Sequence, residues 1–512
     1  MNHPVESQDV VFKFLGDAKT HGVHEVRRID THAAAVFLAG TRAYKVKRAV
    51  RFPFLDYSTL AKRKHACFAE LDVNQAFAPE LYRGVVAIKR NPSGQLAFDG
   101  DGEPIEYAVE MVRFDENQTL DRLADAGNID DTLADRLAAT VAAMHARALI
   151  VESSSWLTAL ERLIDQNTAA FREHPELFQP DSVATLGQTS HAALDRLRPL
   201  LLARGNLGLI RRGHGDLHLG NVALVEGRPV PFDAIEFDPV IATGDVLYDL
   251  AFLLMDLVER RIGRAANIVL NRYFTETHRL EDCDGLAALP FFMSLRAAIR
   301  ANVTAARLAN VDTTAQPAIR RAAQTYFQLA IDLLSPPPPT LIAIGGLSGT
   351  GKSLLARSLA PFIAPAPGAL VLRSDAERKH LFGVAETERL PATAYQIGAI
   401  ARVYKILAEK ALRTVTARHS AIVDAVFAKD DERASIAAAA TSAHVAFRGL
   451  FLVADLTTRL ARVGARALDA SDADTAVVRH QEAFALGGVE WTKIDASGSP
   501  AETLARTRAA IG

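Results

Sequence analysis

Cysteine is nearly missing from this 512-residue chain: Cys67 and Cys283 stand far apart and match no metal-ligand spacing. That excludes a cysteine-built metal module and suits a reducing compartment. A surplus of charge is missing as well. Lysine plus arginine number 58 against 60 for aspartate plus glutamate, a formal balance of −2, so no global field draws the protein onto nucleic acid or an anionic membrane. No basic, aromatic-studded stretch of the kind that grips nucleic acid is present either. Long hydrophobic runs are lacking: the longest, VLYDLAFLLMDLV at 246–258, is broken by Asp249 and Asp256, is too short to cross a bilayer, and reads as a buried helix. The opening MNHPVESQDVVFKF has no basic segment followed by an apolar run and a cleavage site, so no secretion signal is expected and a cytoplasmic location is.

What is present is the material of globular domains. Hydrophobic residues make up 49% and charged residues 23%, and the length exceeds what one core organises, so two or three domains are expected. The sharpest boundary signal is SPPPPT at 335–340, because consecutive prolines favour an extended segment that neither helix nor sheet absorbs. Before it, AAVFLAGTRAYKVKR (34–48) alternates like a hairpin and IEYAVEMV (105–112) like a further strand, with a helix expected over 59–77 between them. From about 117 to 334 the pattern is helical, interrupted at 211–237. After the prolines, strands at 341–345, 369–375, 420–427, 445–455 and 489–496 alternate with helices, which predicts a parallel sheet covered on both faces.

GLSGTGKS at 346–353 fits glycine, four residues, then G-K-[ST], with an apolar strand before it and a helix after it. Gly346, Gly349 and Gly351 let backbone amides around Ser348, Thr350 and Lys352 converge on phosphates, and the following helix turns its positive end toward them. Lys352 is expected at the β and γ phosphates of ATP and the Ser353 hydroxyl on Mg²⁺. The second carboxylate such a site needs is Asp424, closing the strand at 420–427, with Asp455 as its rival. Asp375 and Arg378 form D-x-x-R just after the second strand. In this region the chain resembles P-loop kinases of the gluconate-kinase and zeta-toxin types. That resemblance implies that Asp375 accepts the proton of a substrate hydroxyl, that Arg378 holds the substrate, and that Arg459, Arg462 and Arg466 lie in a lid over the transferring group.

HGDLHLGN at 214–221 places an asparagine five residues after an aspartate, the spacing of a kinase catalytic loop. Asp216 would orient or deprotonate an acceptor hydroxyl, Asn221 would hold Mg²⁺, and His214 would brace the loop. The glycines around His214 and His218 argue against a helical zinc pair. With FDAIEFD at 232–238 and GDVLYDLAFLL at 244–254, the chain from about Asp30 to Leu257 resembles the aminoglycoside-phosphotransferase type of kinase, and the whole resembles bacterial bifunctional proteins that fuse such a domain to a P-loop ATP-binding domain. The resemblance puts a metal-binding aspartate where I-E-F stands here, so Glu236 takes that place with Asp233 three residues before it; Asp249 supports the catalytic loop. For the ATP lysine the choice lies between Lys45 and Lys47, which share a strand face; Lys45 is preferred because small Ala43 precedes it by two, and Glu70 is its expected partner. Glu110, Met111 and Val112 would meet adenine through their backbone. Arg296, Arg300 and Arg307 fall on one helical side, either a solvated face or an anion site.

The fold expected from all this is an α+β kinase-like bilobal domain at 1–334, with a small sheet lobe to about 112 and a helical lobe from about 113, then the proline linker at 335–340. An α/β P-loop NTPase domain with a parallel sheet fills 341–512. The function expected is Mg²⁺- and ATP-dependent phosphoryl transfer to a hydroxyl of a small molecule, without nucleic acid or membrane partners. A nucleotide-gated regulatory ATPase with a non-catalytic first half is the alternative, and a polynucleotide-end kinase a more remote one. Fold does not fix the acceptor.

Overall fold

The computed structural model describes residues 7–52, 55–465 and 471–511. After two short helices, Asp9–Gly16 and Ala18–His21, comes a six-stranded antiparallel sheet: β1 Val26–Asp30, β2 Ala34–Ala39, β3 Arg42–Lys47, β6 Tyr82–Arg90, β7 Leu96–Phe98 and β8 Glu103–Val112, in the order β1-β2-β3-β8-β6-β7. A short ribbon, β4 Arg51–Phe52 with β5 Leu55–Asp56, follows β3. β2 and β3 meet through the two-residue turn Gly40-Thr41, since Ala39 pairs with Arg42. Gly40 has φ of +57°, which glycine adopts at little cost. Period-two alternation sends Phe37, Tyr44 and Val46 into one core beneath Val11 and Leu15, and Leu38 and Ala43 into another with Cys67, Val109 and Met111.

The helix Leu60–Gln75 covers that second face, and its buried stripe is mostly polar: Arg63, Ala66, Cys67, Glu70 and Asn74. Its pattern therefore hides an inner face that binds by charge and hydrogen bonds. Arg63 Nε lies 2.9 Å from Glu106 Oε2, both fully buried, while Glu70 and Asn74 reach the site. Removing one partner of such a buried pair is costly because the other charge stays unpaired.

Beyond the sheet come β9 Ile210–Arg212, β10 Val222–Val225, β11 Arg228–Pro231 and β12 Thr243–Asp245, set among long helices. After the prolines a five-stranded parallel sheet forms from β13 Thr340–Gly346, β14 Leu370–Arg373, β15 Ala421–Asp424, β16 Ala446–Val453 and β17 Thr492–Asp495, ordered β14-β15-β13-β16-β17. Its core joins Ile342, Ile344, Ile422 and Leu450 to Leu355 and Leu359 of the helix Lys352–Leu359. The two expected fold classes, an α+β kinase-like region and a parallel P-loop sheet, are both present.

The chain also divides into two compact units. The first unit comprises Met1–Ile129, Ala143–Ala159 and Gly205–Leu253, and the second Asp130–Ala142, Leu160–Arg204 and Leu254–Gly512. Residues 335–340 thus lie inside the second unit. Within that unit the helix Gly263–Thr277 packs on the margin of the parallel sheet, where Asn267 and Asn271 bond the backbone of 369–371. Among the described residues no helix is long and apolar enough to cross a membrane.

Candidate functional sites

In the first unit, backbone hydrogen bonds lace the loop 214–221 to the segment 232–236. Phe232 N–H donates to Asn221 O at 2.9 Å, and Ile235 N–H donates to His214 O at 3.0 Å. His214 donates from Nε2 to Phe232 O at 2.9 Å, and burial pushes its pKa down, so it stays a neutral brace. Asp249 accepts from the amides of His214 and Gly215 at 2.9 and 3.0 Å and meets His145 Nε2 at 3.1 Å. The loop conformation is thereby held from below, with Asn221 Nδ2 3.0 Å from Asp216 Oδ2.

Three carboxylates and two lysines complete this site. Glu70 takes Lys45 at 2.8 Å on one oxygen and lies 2.5 Å from Lys47 on the other. Lys45 also pairs with Asp233, and Lys47 with Glu236. Burial works against the charged lysines, but the carboxylates outweigh it and raise both pKa values; Lys45 answers chiefly to Asp233 and Lys47 to Glu70. Burial likewise works against the charged forms of Asp233 and Glu236, yet the lysines hold both below the ordinary carboxylate range. The two lysines are not equivalent. Lys47 is 3% exposed and its partner Glu236 also accepts from Tyr57 Oη at 2.8 Å, an enclosed structural pair. Asp233 keeps 43% of its side chain exposed beside Lys45.

Glu236, expected in the metal-binding place, is therefore committed to Lys47 and Tyr57, and Asp233 is the carboxylate next to Lys45. Asp233 adopts φ of +62°. Its amide donates to Tyr82 Oη at 3.1 Å, and Asn74 Oδ1 accepts from the next amide at 2.8 Å; these contacts offset the strain of a left-handed aspartate. At the end of β8, Met111 faces Ala43 across the ladder and Glu110 pairs with Arg42 at 2.8 Å. The Val112 amide expected at adenine already donates to Leu81 O at 2.8 Å.

In the second unit, Lys352, Ser353, Asp375, Arg378, Asp424 and Arg462 line one cavity of about 1720 Å³. Gly351 has φ of +94° and opens the helix Lys352–Leu359, while a side chain on Gly349 would meet Arg459 O at 2.7 Å. Lys352 Nζ lies 3.3 Å from Leu347 O. Asp424 ends β15 with 4% exposure, level with Ile344 of β13. Its rival Asp455 is used as a helix cap, accepting from Thr458 N at 2.8 Å. Arg378 pairs with Asp375 at 2.8 Å and lies 5.0 Å over the ring of Tyr395.

The expected lid arginines go separate ways. Arg459 is buried and donates from Nε to Ser348 O at 3.0 Å, and Arg462 donates to the carbonyls of Ala496 and Gly498 at 2.7 and 2.6 Å. Arg466 lies outside the described residues. Of the arginines expected on one helical side, Arg296 is buried at 3% and Arg300 lies 5.6 Å over Tyr326. Sequence reasoning missed Gln481, whose Oε1 accepts from Ser348 N–H at 2.6 Å, and Asp472, which accepts from Lys379 and Tyr395 at 2.8 and 2.9 Å. Nothing local marks either residue; both act across long sequence separations. Among the described residues no cluster of three or more histidines, cysteines or carboxylates could hold a metal by itself.

Residues 25–283 match the phosphotransferase enzyme family, and residues 341–485 match an AAA domain of P-loop, kinase-like character. An uncharacterized protein of Mycobacterium tuberculosis is 29% identical over 499 residues, covering 94% of this chain and 95% of its own length. Among solved structures, a gluconokinase from Sinorhizobium meliloti aligns at 19% identity and a TM-score of 0.25, covering 33% of this chain and 90% of its own. A choline/ethanolamine kinase family protein from Mesorhizobium loti aligns at 14% and 0.37, covering 61% and 88%. With the phosphotransferase match alone spanning half of the 512 residues, the chain belongs to the phosphotransferase enzyme family.

Proposed function

We propose that this protein is a kinase with two Mg²⁺-ATP sites, each arranged to pass the terminal phosphoryl group to a hydroxyl of a small molecule. Phosphotransferase and P-loop kinase-like domains together support ATP-dependent phosphoryl transfer. The observation that carries the finer reading is the cavity shared by the phosphate loop and the Asp375–Arg378 pair: anion-binding amides and a candidate general base with its cation face one space.

The residues fit the cofactors. Magnesium is held by few protein oxygens when phosphates and water supply the rest, and each site offers two donors, Ser353 with Asp424 and Asn221 with Asp233. When bound, the ion would offset the charge on the transferring group. Lys352 and Lys45 would meet phosphate oxygens, and Asp375 and Asp216 would each receive the acceptor's proton. The near-balanced charge of 58 basic against 60 acidic residues supports a small-molecule acceptor over a nucleic acid.

The test is a screen of a metabolite pool with ATP labelled on its terminal phosphate, using the intact chain and its Lys352→Ala and Asp216→Asn variants. Label on a metabolite that disappears in one variant assigns that product to one site. Label found only in inorganic phosphate would instead support a regulatory ATPase. That reading draws on Glu236, while Asp233 beside Lys45 supports the kinase reading.

A further inference from the structure

The strand that leads into the acceptor helix is held from outside its own sheet. β14 is the margin of the parallel sheet, paired with β15 alone, so its outer backbone groups need partners. Asn271 supplies them. Its Nδ2 donates to Ala369 O at 3.1 Å and its Oδ1 accepts from Val371 N–H at 2.6 Å, the carbonyl-then-amide pattern that a neighbouring strand would present. Asn267, 2% exposed, adds a second donor to Ala369 O at 3.0 Å. Gly368 permits this approach, since a side chain there would meet Asn267 Nδ2 at 2.6 Å.

Two residues after Arg373 closes β14, the helix Ser374–Leu381 presents Asp375 to the cavity, and its far end is gripped as well. The rings of His278 and His380 stack at 3.9 Å with 9° between planes, and Arg272 reaches Glu386 at 3.2 Å. Burial, with His380, Lys410 and Arg272 nearby, pushes His278 down to about 4, so at neutral pH it stacks as an uncharged ring. Val371 and His380 bracket Asp375 and Arg378 along the chain. Both holds come from residues 267–278, which lie within the phosphotransferase match at 25–283.

The geometry points to Asn271 and His278 as positioning residues for the P-loop reaction: the phosphotransferase half lends a surrogate strand and a ring clamp that fix where Asp375 and Arg378 stand. This rests on the reading that Asp375 and Arg378 meet the acceptor. It also gives the fusion a physical purpose, since the P-loop region alone lacks two supports of its acceptor helix.

The experiment uses the full chain carrying Asp216→Asn, so that turnover comes from the P-loop site, and compares Asn271→Leu, His278→Ala and His278→Phe. Hydrogen exchange is followed over 370–381 and over 341–346, alongside ATP hydrolysis with water in the acceptor's place. Expected are faster exchange over 370–381 but not 341–346 in Asn271→Leu and His278→Ala, with kcat falling about 10- to 100-fold, KM for ATP unchanged, and recovery in His278→Phe, which keeps a flat ring. Unchanged exchange in both variants overturns the clamp. Faster exchange with unchanged turnover upholds the clamp and overturns the acceptor role of Asp375 and Arg378. Should Asn271→Leu fail to fold, the two His278 variants decide alone: no recovery in His278→Phe rejects the ring contact.

Discussion

The carboxamide of Gln481 accepts a hydrogen bond from the backbone N–H of Ser348 at 2.6 Å, while Arg459 donates to the carbonyl of the same residue at 3.0 Å. One residue of the phosphate loop is therefore gripped through both of its flanking peptide groups by residues more than a hundred positions away. A buried amide left without its partner costs about 1–3 kcal/mol, so Gln481→Ala is expected to loosen the loop and weaken Mg²⁺-ADP binding at this site about 10-fold. Calorimetric titration of the variant checks this; unaltered affinity would show that the loop orders itself without Gln481.

The two lysines of β3 should separate cleanly. Lys47→Met strips a charge partner from buried Glu236 and Glu70, and breaking such a pair destabilises by about 3–5 kcal/mol. Lys45→Met leaves Glu70 with Lys47 and is expected to keep the fold but lose nucleotide binding in the first unit. Thermal unfolding combined with nucleotide titration distinguishes them. Equal losses of stability would contradict the division of roles.

Glu236 and Asp233 offer a parallel contrast. Glu236→Gln is expected to lower the melting temperature with little change in the Mg²⁺ dependence of any activity in the first half, because its carboxylate serves Lys47 and Tyr57. Asp233→Asn is expected to raise the Mg²⁺ requirement while leaving melting close to wild type. A reversed pattern in magnesium titrations returns the metal to Glu236.

Acid should unfold the second unit early. His419 is fully buried, donates from Nε2 to Gly368 O at 2.9 Å, and is pushed down to about 4 by burial; His278 is pushed to about 4 as well. Folded pKa values below the ordinary 6.5 mean that these histidines favour the fold fully above pH 6.5. Below it the unfolded chain takes up protons the folded one refuses, and stability falls until about pH 4. Melting temperatures measured between pH 7 and 4 should drop, and His419→Asn should flatten the slope.

Much of this was legible because apolar runs and glycine patterns are local. Four strands of the parallel sheet, β13 to β16, appeared as short hydrophobic runs, whereas β17 (TKID) is mostly polar and exposed; the phosphate loop stood out by its glycines, and the hairpin of β2 and β3 by alternation. β1 did not, since VRRID is largely exposed and polar, and the helix Leu60–Gln75 hid its inner face because that face is ionic. Period two puts Lys45 and Lys47 on one side and does not choose between them; the partners that distinguish them, Asp233 and Glu236, lie nearly two hundred residues downstream. Gln481 and Asn271 carry no local signature, as a single amide side chain acquires meaning only from the backbone it reaches.

The four prolines at 336–339 run from the end of the helix Gln316–Leu333 to the start of β13, at both ends within the same compact unit. A polyproline stretch rises about 3.1 Å per residue and resists bending. With each proline ring fixing its φ, the segment is stiffer than an ordinary linker. Glycines in its place would forfeit the buried Pro339 side chain and release the unfolded chain to wander, so packing and stiffness together favour the folded second unit.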